Sequence, residues 1–332
     1  MAYESHIVRS AVARLRARSE QHAREVYALR TALYQKDPRL PKLDAALRGT
    51  MAEVAELALS GNPNHAAKLE DIKARNLALQ AEREQVLDSL GYGPAALDDS
   101  PLCPNCRDTG WVGTTMCNCL HTLCAQEQIK TLSKMLDFNG QSFDKFRLDV
   151  YSDQPWQGET RSPRENMKRI FAVCEGYARQ LDHYPLKNLF FSGNTGLGKT
   201  FLSSCIAQVV SGAGFSVVYD TAINIFSAFE TRKFSREPEQ EREARDDTKR
   251  YLNCDLLILD DLGSEMTTQM VQASLYELIN SRLMSGKRTI ISSNLSVDAV
   301  RGRYTPQIAS RLEGEYQELT FYGDDIRLAR KA

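Results

Sequence analysis

Between an apolar run, Asn188-Leu-Phe-Phe-Ser192, and a helix-forming stretch from Phe201 to Val210 lies Gly193-Asn194-Thr195-Gly196-Leu197-Gly198-Lys199-Thr200. It fills every fixed position of G-x-x-x-x-G-K-[ST], with the strand before and the helix after that such a loop requires. The residue types follow from the task. Glycines let backbone N–H groups curl around a chain of phosphates, and the helix start adds its positive end. Lys199 is placed to reach the β- and γ-phosphates of ATP, and the Thr200 hydroxyl to ligate Mg²⁺. No other stretch constrains the fold so tightly, because a phosphate loop of this kind sits at the end of a strand in an α/β sheet.

The chain downstream supplies that sheet. Ser216-Val-Val-Tyr-Asp220, Leu256-Leu-Ile-Leu-Asp260 and Arg288-Thr-Ile-Ile-Ser-Ser-Asn294 are short β-rich runs separated by helical stretches. This pattern predicts a parallel sheet with crossover helices over 163–332. An apolar strand ending in Asp260-Asp261 suits the partner of a phosphate loop: Asp260 to hold Mg²⁺, Asp261 to orient and deprotonate the attacking water. A helix N-cap is the competing reading of Asp261. Asn294 ends the next strand, where an amide can hold the water near the γ-phosphate; a plain turn residue is the alternative there. Arg303, Arg311 in Ile-Ala-Ser-Arg-Leu, and Arg327 in Asp-Asp-Ile-Arg follow. An arginine outside the loop can stabilise charge on the transferred phosphate, in cis or from a neighbouring subunit, though any one arginine can be only a surface charge.

The N-terminal third reads differently. Ile7, Val8, Ala11, Val12 and Leu15 recur at helical spacing, as do Leu43, Leu47, Met51, Val54 and Leu57 after a break at Pro38 and Pro41. Gly61-Asn-Pro-Asn64 is read as a turn, and Leu69, Ile72, Leu79, Val86 and Leu90 as one side of a third helix stopped by Gly91. Residues 1–98 are thus expected to form a helical domain that docks a partner protein, with a solvated scaffold as the bland alternative.

Five of the eight cysteines lie between Cys103 and Cys124. Cys103-Pro-Asn-Cys106 and Cys117-Asn-Cys119, flanking a glycine-bearing hairpin, predict a structural Zn²⁺ site with four thiolates over 99–125. His121 and Cys124 are reserve ligands, and an iron–sulfur cluster or a redox pair is the competing use. Residues 126–162 are expected to be a linker: a helix-like stretch from Gln126 to Leu136, then a piece rich in turn residues and aromatics. Lys+Arg total 42 against Asp+Glu 43, a balance that excludes a globally basic nucleic-acid coat protein. No apolar run approaches the roughly 20 residues of a membrane helix, and no secretion signal is evident, so a cytoplasmic location is expected.

The order of motifs carries a resemblance. Phosphate loop, Asp260-Asp261, Asn294, Ser310-Arg311-Leu312 and Arg327 in succession resemble the AAA+ ATPases. Leu259-Asp-Asp-Leu-Gly263, a helix, and a strand ending Ser-Ser-Asn-Leu295 resemble, within them, the helicase loaders of the DnaC/DnaI type and the IstB-type transposition ATPases. The likeness covers 143–332, with Phe143 and Phe146 matching a phenylalanine pair that precedes the core. It implies an α/β AAA+ core with a truncated lid, in which Asn294 is sensor 1, Arg311 an arginine finger acting in trans and Arg327 sensor 2. Asp261 stands where general AAA+ chains carry Glu, which implies slow hydrolysis, stimulated by assembly or DNA.

The expected function is ATP-dependent loading of a hexameric replicative helicase onto single-stranded DNA by a homo-oligomer. An IstB-type transposition helper is the first alternative, and a metabolic P-loop kinase a weaker one. Arg232, Lys233 and Arg236, with Phe234 as a stacking platform, are candidate DNA contacts, against the reading of a solvated charged helix.

Overall fold

The computed structural model describes residues 3–59, 65–138 and 140–329. The turn expected at 61–64 lies outside them. The chain divides into two compact units, Ala13–Cys117 and Met1–Val12 with Asn118–Ala332.

The first of these is helical. Helix α1 (Ser5–Lys36) enters it from the other unit, and α2 (Arg39–Leu59) and α3 (His65–Ser89) follow. The expected break falls at Asp37-Pro38. Pro41 lies in the first turn of α2, where a missing N–H costs nothing. Gly91 takes a left-handed φ of 81° just past α3, as a helix-ending glycine does. Leu33, Leu40, Leu43, Val86, Leu87 and Leu97 form the core of this unit. Arg83 ties it at the polar edge, donating to Asp44 at 2.7 Å and to the Pro94 carbonyl at 3.0 Å. Part of the expected apolar side is uncovered: Met51, Val54 and Leu69 are exposed along α2 and α3, as is Leu77, which that spacing did not include. A short antiparallel hairpin, β1 (Trp111–Val112) and β2 (Thr115–Met116), closes the unit.

The second unit holds α4 (Asn118–Leu132), α5 (Pro163–Arg179), β3 (Leu189–Ser192), α6 (Lys199–Gly212), β4 (Val217–Thr221), α7 (Ala222–Phe234) and α8 (Pro238–Asn253). It continues with β5 (Leu256–Leu262), α9 (Gln269–Met284), β6 (Arg288–Ser293), α10 (Val297–Arg303), α11 (Pro306–Glu315), β7 (Gln317–Thr320) and the short α12 (Ile326–Ala329). The strands pair in the order β4-β5-β6-β3-β7, all parallel, as the sequence predicts. Alternation along each strand sorts side chains to two cores. Phe191, Val217, Tyr219, Ile258 and Ile290 face one, and Phe190, Val218, Leu257, Leu259 and Ile291 the other. Both faces are covered, which is why these strands read as nearly continuous apolar runs.

The stretch read as a linker supplies part of the first core through Phe138, Phe143 and Tyr151. Within the same stretch, the buried Gln128 of α4 bonds Ser211, the Phe215 carbonyl and the Val217 amide. No helix among the described residues is long and apolar enough to cross a membrane.

Candidate functional site: a phosphate loop between two acids and two basic side chains

The loop leaves β3 and turns into α6 through three glycines, Gly193, Gly196 and Gly198, that no other residue replaces without strain. Gly193 has φ 135° and a Cβ there would collide with the Phe321 carbonyl; Gly196 has φ 78° and a Cβ would strike the Asp325 carboxylate. Gly198 caps α6 without any side-chain bond, so the first amides of the helix have no side-chain competitor. The Ile326 amide donates to the Gly196 carbonyl at 3.1 Å, which fixes the late segment 325–327 against the loop.

Lys199 is buried, and its ammonium donates to the carbonyls of Gly193 and Asn194 at 2.6 and 2.7 Å and to Asn294 Oδ1 at 3.1 Å. Burial holds its pKa below the usual lysine range, while the carboxylates of Asp261 and Asp260 pull it back up. The group therefore sits where an anion would gain most from its charge.

Asp260 is a hub at the end of β5. Its Oδ2 accepts from Thr200 at 3.2 Å and from the Tyr219 hydroxyl at 2.6 Å. Its Oδ1 accepts from Ser292 and from the Asp261 amide. Burial and the adjacent Asp260 push the Tyr219 phenol far up, so it remains a donor.

Asp261 adopts a left-handed backbone, φ 57°. Regular alternation would send it to the face opposite Asp260. Instead its side chain lines the same cavity as Lys199, Thr200, Asn294 and Arg327. Its peptide is pinned on both sides: the amide donates to Ser292 at 3.2 Å, and the carbonyl accepts from Ser264 Oγ at 2.8 Å. The alternative of a helix cap is excluded, because the next helix starts at Gln269 with Thr268 as its cap. Partial burial, then Asp260, raise the Asp261 pKa against the pull of Lys199 and Arg327. Below, the buried Glu265 accepts from the Gly263 amide at 2.9 Å and from the Tyr304 hydroxyl, while Arg303 donates to the Glu265 carbonyl.

Thr195, Gly196, Leu197 and Gly198 complete the loop side of the cavity. Asn194 takes part through its carbonyl. Arg311 is exposed on α11 and is not among the cavity's lining residues. Arg232 pairs with Glu277 at 2.9 Å, and Phe234 is exposed at the end of α7. Sequence reasoning missed Tyr219, Ser292, Gln141, Phe201 and Ile326. A phenol inside the buried run 216–220, next to the strand with the acids, was the one available signal for Tyr219.

In the segment 103–119 the thiols of Cys103, Cys106, Cys117 and Cys119 lie within 4.8 Å of one another. Cys103 and Cys117 sulfurs are 3.7 Å apart. Four sulfurs about 2.3 Å from a tetrahedral Zn²⁺ are spaced about 3.8 Å, so the donor set fits that ion. The Gly110 amide donates to the Cys106 sulfur at 3.4 Å, and Asp108 fixes the Leu102 and Cys103 amides. His121 and Cys124 stand outside this group; burial pushes the Cys124 thiol up to about 11.

Residues 183–305 match the family described as IstB-like ATP binding protein. The chain is 25% identical over 148 residues to the chromosomal replication initiator DnaA of Campylobacter jejuni subsp. doylei, a match covering 44% of this chain and 32% of that one. It is 23% identical over 164 residues to the replicative helicase loader DnaC of Buchnera aphidicola subsp. Baizongia pistaciae, covering 49% of this chain and 65% of the relative. The crystal structure of a DnaC helicase loader superposes with a TM-score of 0.42 at 19% identity, over 54% of this chain and 98% of that chain. The chain thus spans about a third of the length of the DnaA relative and just under two thirds of the DnaC relative.

Proposed function

We propose that this chain, whose ATPase domain resembles the DnaC/IstB-type AAA+ proteins, is an ATP-dependent loader of a replicative helicase onto single-stranded DNA. The observation that carries the reading is one cavity where Lys199, Asp261, Asn294 and Arg327 converge from four separate stretches of chain. Such a constellation binds a triphosphate and distinguishes it from its hydrolysed form, the basis of an assembly switch.

In this reading Lys199 holds the β- and γ-phosphates, and Thr200 and Asp260 are the residues that hold Mg²⁺. The metal supplies charge neutralisation at the phosphates. Asp261 accepts the proton of the attacking water, Asn294 orients that water, and Arg327 contacts the phosphate from the late segment. Arg311, exposed and away from the cavity, serves a neighbouring subunit's site, which makes the chain a homo-oligomer. Zn²⁺ on the four cysteines staples residues 103–119 and takes no part in chemistry. Helices α1–α3 dock the helicase, a reading supported by the uncovered Met51, Val54, Leu69 and Leu77. The Buchnera relative named as a helicase loader supports loading over transposition.

The test uses the full chain. Affinity-tagged protein should retain the source cell's replicative helicase when ATP is present, and labelled single strands should raise its rate of ATP hydrolysis. Retention of a transposase, or stimulation by duplex DNA alone, would defeat the loader reading.

A further inference from the structure

The phosphate-binding groups account for only part of the cavity lining. The rest is Leu197, Phe201 and Ile326, which are apolar, and Gln141. A flat heteroaromatic ring suits such a surface. Gln141 stands out there because its side-chain carbonyl oxygen is buried and has no hydrogen-bond partner among the described residues. A buried acceptor left unpaired is costly, and native proteins rarely tolerate one without a use. The Gln141 amide donates to the Asp137 carbonyl at 2.8 Å. Two residues on, the buried Phe143 packs edge-on against Phe171 with ring centroids 5.4 Å apart.

We propose that Gln141 selects the base of the nucleotide, its Oε1 accepting a hydrogen bond from the exocyclic amine of adenine. The assignment rests on the nucleotide-binding reading of this cavity and adds base specificity to it. Adenine presents an N–H donor at C6, whereas hypoxanthine and guanine present a carbonyl. An oxygen facing a carbonyl leaves both unpaired, so a site of this kind rejects the 6-oxopurines.

The measurement is equilibrium binding of ATP, ITP and purine riboside triphosphate to the full chain in Mg²⁺, by competition with a fluorescent ATP analogue. On the unmodified protein ITP should bind about tenfold more weakly than ATP, with purine riboside triphosphate between them. In Gln141→Met, which keeps length without the amide, the ITP-to-ATP ratio should fall to about one. The comparison of the three nucleotides on the unmodified chain needs no substitution, so it stands even if the variant folds poorly. Equal binding of ATP and ITP by the unmodified chain would overturn the proposal. So would a ratio unchanged in Gln141→Met, or a loss falling equally on both nucleotides. An inverted preference, with ITP tighter, would mean that the amide presents its NH₂ to the base, and the proposal would fall. Binding of ATP and ITP alike leaves the nucleotide site standing without base selection. Failure to bind any triphosphate defeats the nucleotide site and this proposal together.

Discussion

The sheet unit and the helical unit are both built on buried leucines, yet they mark their tasks in opposite ways. In the sheet unit, atoms must meet phosphates at hydrogen-bond distance, and that demand is written residue by residue: Gly193, Gly196, Lys199, Asp260. In the helical unit only faces matter. Leu33, Leu40 and Leu87 are fully enclosed, while Met51 and Leu69 are 71% and 38% exposed although both were read as part of an apolar side. Chemistry that needs fixed distances leaves motifs, whereas surface recognition leaves only periodicity.

Three substitutions probe that contrast. The largest effect is expected for Lys199→Ala, which removes the buried cation: ATP hydrolysis should fall roughly 100-fold or more, while the melting of the helical unit stays put. Turnover at the parental rate would refute the phosphate assignment. Next comes Cys106→Ser. Metal analysis should find about one Zn²⁺ per unmodified chain and none in the variant, with faster hydrogen exchange over 99–125 and unchanged ATP turnover. Iron, or no metal in the unmodified chain, would speak against a zinc staple. Tyr219→Phe should have the smallest effect. Losing one donor to Asp260, worth about 1 kcal/mol, should shift the Mg²⁺ concentration for half-maximal nucleotide binding about fivefold, in either direction, without changing metal-free stability by more than that. An unshifted Mg²⁺ curve would make the phenol a packing group only.

How much was readable beforehand follows the same contrast. The parallel sheet and its crossover helices were legible because each strand is a short apolar run and each helix a separate periodic stretch. The phosphate loop was legible because its residues are contiguous. Tyr219 and Ser292 escaped notice because they reach Asp260 from β4 and β6, and strand order is a property of the fold rather than of any window of sequence. The alternative for Asp261 stayed open because a pair of acids after an apolar run gives no sign of backbone handedness. The uncovered strip on α2 and α3 was hidden for a simpler reason: periodicity reveals an apolar side but not what covers it.

The left-handed residue at position 261 also bears on which amino acids the position admits. Aspartate and asparagine enter that region several-fold more readily than longer side chains, because their short polar groups bond locally. Glutamate, the usual acid at this point in general AAA+ chains, would pay more to hold the same backbone. The carboxylate's short reach is therefore one half of an exchange whose other half is conformational. A strand end that breaks its alternation to bring Asp261 into the cavity narrows its own alphabet, because the main chain there admits few side chains.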